Sequence, residues 1–187
     1  LTKKEVHELV DKLPKIFDLS TFVGKRNETI VHTYLYTWLR LSELLNLKLE
    51  DLEIHDWYIK VVKWKWNKDR VIPLSHKLLK ILSKYLILRN KEYRINWDSA
   101  LFPTYIGNHL QQRDMKRIID KIRANISFHF TWHQLRHTFA TELVRNNFDI
   151  FNISKILGHS SIDTTKIYLS VDTAKLKTQL DNITLFS

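Results

Sequence analysis

The chain has no cysteine, and that absence excludes disulfides, cysteine-ligated zinc ribbons and thiol nucleophiles together. With only 3 glycines and 3 prolines in 187 residues, little room is left for long flexible linkers. No apolar run approaches the ~20 residues of a membrane span, and no charged-then-apolar leader opens the sequence, so no membrane partner is expected. Internal repeats and low-complexity tracts are missing as well. The first residue is Leu1 rather than Met, which favours a piece cut from a longer chain.

What is present suits one domain with a real core: 44% of residues are hydrophobic and 12% aromatic. Lysine and arginine outnumber aspartate and glutamate by 30 to 20, giving a formal net charge of +10 and a pI near 9.7. A polyanionic partner is the economical explanation, with a cytoplasmic, nucleoid-associated location.

The patterning predicts a mainly α fold with a small antiparallel β-hairpin insert. Thr2 followed by Glu5 reads as a capping box, with Val6, Leu9, Val10 and Leu13 on one helical face behind it. A second helix is expected through TIVHTYLYTWLRL, placing Arg40 near its end, with a short turn in SELLNL. The run WYIKVVKWKW is β-branched and aromatic, NKD is turn chemistry and RVIPL returns, which makes a hairpin. Helices then follow in HKLLKILSKYLILR, GNHLQQRDMKRIIDKIRAN, WHQLRHTFATELVRNN and DIFNISKILGH, the last capped by Asp149 and ended by Gly158.

Six residues in four stretches carry chemistry: Arg40, Lys65, His133, Arg136, His159 and Tyr168. Two guanidiniums, an ammonium, two imidazoles and a phenol are the parts needed to attack a phosphodiester without a metal. Planar guanidiniums match phosphate oxygens at two points, where a lysine acts as a point charge. Glu43, three positions after Arg40, either makes an ordinary helix pair with it or aims its guanidinium. Strand parity puts Lys63 and Lys65 on one side of the hairpin, opposite Trp64 and Trp66. His133 and His137 form an HxxxH pair, but no glutamate follows the first histidine and no third ligand is apparent, so no metal is expected. His137 is instead read as an inward core histidine beside the stripe Leu135, Phe139 and Leu143.

These residues and their wording resemble the catalytic domain of the tyrosine recombinases, the family of phage integrases and Xer-type resolvases. Arg136 lies three positions after His133, His159 twenty-three after Arg136, and Tyr168 nine after His159. WKWNKDR is similar to the GKGNKxR of many members, which points to Lys65; Trp38, Trp64 and Trp66 stand where the family commonly has glycine. The resemblance implies a single catalytic domain over residues 1–187, with 173–187 as a tail helix and a separate DNA-clamp domain missing ahead of it.

It also implies site-specific recombination through two transesterifications. Tyr168 is the nucleophile, Lys65 the general acid, His133 the proton acceptor, and Arg40, Arg136 and His159 the phosphate clamp. No cofactor is needed, because the tyrosyl link keeps the phosphodiester energy. The expected partner is double-stranded DNA, engaged by a homotetramer whose C-terminal tails either dock into neighbouring protomers, as in many members, or pack in cis on their own cores. A type IB topoisomerase and a DNA-binding module that has lost catalysis are the alternatives.

Overall fold

The computed structural model describes residues 1–62, 70–92, 99–145 and the three positions 178, 180 and 181. Helix α1 spans Lys3–Ile16 and begins with the expected reciprocal cap: Thr2 Oγ1 accepts from the Glu5 N–H at 3.2 Å, and Glu5 Oε2 accepts from the Thr2 N–H at 2.7 Å. Its inner face buries Val6, Leu9, Leu13 and Ile16, each contributing about 1.5–3 kcal/mol of apolar burial.

The central helix α2 is Phe22–Thr37, and it touches α1 and the later helices over His76–Lys91 and Trp132–Arg145. It starts seven positions before the expected apolar run, at the N-cap Thr21, whose side chain accepts from the Gly24 N–H at 3.1 Å. Gly24 is required there: a Cβ would meet the Asp18 carbonyl oxygen at 1.8 Å. α2 does not run through Arg40. It ends at Thr37, because Trp38 takes a left-handed conformation at φ 51° and breaks the hydrogen-bond ladder. Arg40 instead caps the next helix, α3 (Leu41–Asn46), from an extended backbone.

A 3₁₀ turn at Leu49–Asp51 leads into a three-stranded antiparallel sheet of β1 (Leu52–Glu53), β2 (Tyr58–Val61) and β3 (Arg70–Pro73) in that order. The β2/β3 ladder is the expected hairpin, with Val61 opposite Arg70 as its last pair. The hairpin tip, including Lys63 to Trp66, lies outside the described residues. The two-residue β1 was not foreseen, since a pair of residues carries no period. α4 (His76–Lys91) is capped by Ser75, and α5 (Gln112–Arg123) presents Met115, Ile118, Ile119 and Ile122 to the core. α5 begins five positions later than expected: Gly107, at φ 99°, belongs to a turn closed by its N–H on Thr104 O. α6 is Trp132–Arg145.

The helix expected over DIFNISKILGH, with Asp149 and Gly158, lies outside the described residues, as does most of the tail. Thr178, Leu180 and Asp181 are helical. Leu180 is buried in this chain's core, and Asp181 Oδ1 accepts from the His76 N–H at the start of α4 at 2.7 Å.

Candidate active site

Arg40 is positioned by its main chain. Its N–H donates to Glu43 Oε2 at 2.7 Å, the local hydrogen bond that opens α3. Its guanidinium reaches Glu43 Oε1 at 3.2 Å and remains 44% exposed. The carboxylate has a stronger partner: Arg70, at the start of β3, donates from Nη1 to Oε1 at 2.8 Å and from Nη2 to Oε2 at 2.6 Å. Burial alone would push the Glu43 carboxyl up. The Arg70 hydrogen bonds, then the Arg40 N–H and the charges of both arginines, overrule burial and bring it down to about 2.

Arg136 arrives from a different direction. Thr131 and Gln134 cap α6 reciprocally: the Thr131 N–H donates to Gln134 Oε1 at 2.7 Å, and the Gln134 N–H to Thr131 Oγ1 at 3.1 Å. The helix is then clamped onto α2 by two aromatic contacts, Tyr34 edge-on to Trp132 at 5.2 Å and Trp38 against Phe139 at 4.6 Å. Arg136 is half-buried on that clamped helix. Burial, then the neighbouring Arg40 charge, pulls its guanidinium below the ordinary arginine value; Glu43 and Tyr34 oppose, and Arg70 adds to the repulsion. It stays protonated at neutral pH all the same.

His133 is exposed on the first turn of α6. His137 is exposed too, which corrects the expectation of a core histidine. Leu135, Phe139 and Leu143 are buried as expected, and a residue two positions past Leu135 lies about 200° round the helix from it, on the wet side. The HxxxH pair meets no third metal-ligating group among the described residues. Lys65, His159 and Tyr168 lie outside the described residues.

Among the described residues, Arg40 and Arg70 on the Glu43 carboxylate, with Arg136 nearby, leave a surplus of two positive charges. That surplus suits an oxyanion that gains charge during reaction. Beside it, from Leu41 to Trp132, a cavity of about 370 Å³ opens along Arg113, Lys116 and Arg123 of α5. The exposed side of α5 is basic, with Arg113, Lys116, Arg117 and Lys121.

Comparison with known proteins gives this cluster its family. The model of the phage integrase family matches residues 1–175. The chain belongs to that family. It is 35% identical over 175 residues to the tyrosine recombinase XerD of Listeria monocytogenes serotype 4b (strain F2365), covering 90% of this chain and 58% of the relative. The crystal structure of XerA recombinase is similar with a TM-score of 0.75 and 32% identity, over 95% of this chain and 62% of that one. XerH site-specific recombinase bound to difH substrate, in a pre-cleavage complex, is similar with a TM-score of 0.71 and 27% identity, over 95% and 52%. The chain thus spans a little over half the length of these integrase-family relatives.

Among the described residues the structure brings Arg40, Glu43 and Arg136 near one another, and two further residues that the sequence reading did not single out join them. Arg70 pairs with Glu43 across 27 positions, and no local periodicity marks such a pairing. Tyr34 is buried behind Arg136; burial raises its hydroxyl, and the Arg136 charge pulls it back. The available signal for Arg70 was its place as the first residue of the returning strand, beside the hairpin mouth.

Proposed function

We propose that the protein is a site-specific DNA recombinase that cuts and rejoins duplex DNA through a 3′-phosphotyrosyl link. The observation that carries this reading is the meeting of Arg40, at the start of α3, and Arg136 of α6, far apart in sequence, in one cluster with surplus positive charge. Membership of the integrase family and the XerH complex with its difH substrate support it.

In this scheme the Tyr168 oxygen attacks phosphorus, the bond to the 5′ oxygen breaks, and the 3′ phosphate stays on the tyrosine. His133 takes the phenolic proton, and Lys65 gives one to the departing 5′ oxygen, a poor leaving group without it. Arg40, Arg136 and His159 hold the non-bridging oxygens as charge builds on them. Glu43 aims Arg40 through the main-chain contact at the start of α3. A 5′ hydroxyl from a partner strand then attacks the tyrosyl link, restoring a phosphodiester and freeing Tyr168.

Residues 1–187 act as one catalytic domain, and the length of the relatives leaves room for a DNA-clamp domain ahead of it. Double-stranded DNA is the partner, supported by the net charge of +10 and the basic face of α5. On DNA the protein works as a homotetramer. Here Leu180 and Asp181 of the tail rest on this chain's own core and α4; on DNA the tail over 173–187 docks into a neighbouring protomer instead. Its location is the cytoplasm, on the nucleoid.

The test is to incubate the protein with a pool of nicked, randomised duplexes in EDTA and look for an SDS-resistant protein–DNA adduct, beside Tyr168→Phe. An adduct that the variant loses supports the reading, and sequencing the trapped DNA defines the site. An adduct that persists in Tyr168→Phe moves the nucleophile elsewhere; none even with the full-length chain removes the proposed chemistry.

A further inference from the structure

Glu43 poses a problem for the site it occupies. A carboxylate within reach of a phosphate-binding arginine competes with the phosphate, and Glu43 is only 11% exposed, so water does little to screen it. Yet its Oε2 is needed, because it accepts the Arg40 N–H that starts α3. The geometry shows how the two demands are reconciled. Each carboxylate oxygen takes one Arg70 nitrogen, at 2.8 and 2.6 Å, and the two bonds together form a two-point pairing on the carboxylate plane. The main-chain N–H of Arg40 takes a further lone pair at 2.7 Å, and only the longest contact, 3.2 Å, goes to the Arg40 guanidinium. Arg70 is itself 9% exposed and cannot easily swing to another partner.

We propose that Arg70 is a positioning residue for DNA cleavage: by engaging Glu43 at two points, it leaves that carboxylate as an anchor for the Arg40 main chain and keeps the Arg40 guanidinium available to the scissile phosphate. Arg70 touches neither DNA nor the reacting atoms in this assignment; it acts through Glu43 on Arg40. The assignment rests on the recombinase reading above. It also ties the mouth of the β2/β3 hairpin, where Arg70 faces Val61, to the start of α3. Lysine in place of Arg70 would offer a point charge and one grip where the guanidinium offers two.

The test uses the nicked duplex recovered by the adduct selection, made with either an ordinary scissile phosphate or a methylphosphonate. The methylphosphonate is neutral, so it draws less on the Arg40 charge. Single-turnover adduct formation is measured for the unaltered protein, Arg70→Met and Arg70→Lys. Loss of a charge-stabilising donor outright slows such reactions about 10²–10³-fold. Arg70→Met, which frees Glu43 to capture Arg40, is expected to be slower by about 30-fold on the phosphate, and Arg70→Lys by about 5-fold. On the methylphosphonate both deficits are expected to shrink to within about 3-fold, with DNA affinity unchanged, because damage to the fold as a whole would slow both substrates alike. Arg70→Lys keeps the carboxylate neutralised, so it carries the test where Arg70→Met does not fold. Equal deficits on the two substrates, or none on the phosphate, overturn the assignment while leaving the recombinase reading intact. A selection that recovers no duplex even with the unaltered full-length chain removes that reading, and this assignment with it.

Discussion

The two arginines of the cluster are held by opposite means. Arg40 sits in a bend between α2 and α3, with its backbone pinned by one carboxylate and its guanidinium 44% exposed. Arg136 rises from the middle of a helix clamped by aromatic rings, half-buried and repelled by its neighbour. A locally capped bend fixes where a side chain starts and lets its end adjust, whereas a packed helix fixes the whole approach. In the proposed recombinase, a clamp built from one of each would meet a phosphate on a rigid side and close on it from a compliant one.

The largest effect separates the two in function from the two in stability. Arg40→Ala and Arg136→Ala are each expected to slow adduct formation about 10²–10³-fold. Their melting curves should diverge. Arg40→Ala leaves the main-chain cap in place and removes only an exposed ion-pair contact, so stability should change by less than about 0.5 kcal/mol. Arg136→Ala removes a half-buried guanidinium together with the packing of its stem on α6, so it should cost more, about 1 kcal/mol or above. A loss of more than about 1 kcal/mol in Arg40→Ala would mean that its side chain, and not its N–H, holds the bend.

The next effect breaks the packed half of the comparison. Phe139 is 1% exposed and lies against Trp38, the residue whose left-handed turn ends α2 two positions before Arg40. Phe139→Ala is expected to cost about 3 kcal/mol in chemical denaturation, at the low end for a buried phenylalanine. Phe139→Leu, which keeps most of the volume, should cost less than about 1.5 kcal/mol. If the two substitutions cost the same, volume at this contact is not what seats α6.

The same contrast explains what could be read from the sequence. Features set by neighbours in the chain were legible: the Thr2/Glu5 cap, the β2/β3 hairpin, and the placement of His133 and Arg136 on one helix. Those set by distant contacts were not. The apolar run from Ile30 gave no sign that α2 begins at Phe22, because its first two turns are held by a polar cap and by Gly24 passing over the Asp18 carbonyl. Trp38 read as helix on composition, since nothing in an aromatic side chain announces a left-handed backbone. The pairing of Arg70 with Glu43 needs the sheet to fold first. His137 was misplaced because a stripe was extended to a residue on the opposite side of the turn.

The smallest effect probes α2, which backs both arginines: it carries Tyr34 behind Arg136 and ends just before Arg40. His32 is buried in it, and its Nδ1 finds no hydrogen-bond partner among the described residues. Burial, then the charges of Lys77 and Lys25, pulls its pKa down to about 3. The folded state therefore keeps His32 neutral, while the unfolded chain takes up a proton below about pH 6.5. Stability from this group is complete above that pH and falls as pH drops from 6.5 toward 3, by up to about 1.4 kcal/mol per unit. His32→Leu removes both the unpaired nitrogen and the titration. It should be more stable than the unaltered protein at pH 7, with the gap widening by about 2 kcal/mol at pH 5. Urea midpoints at the two pH values give the answer: a gap that does not change with pH would mean that the folded protein accommodates the His32 proton, and that the helix behind both arginines is wetter than its packing indicates.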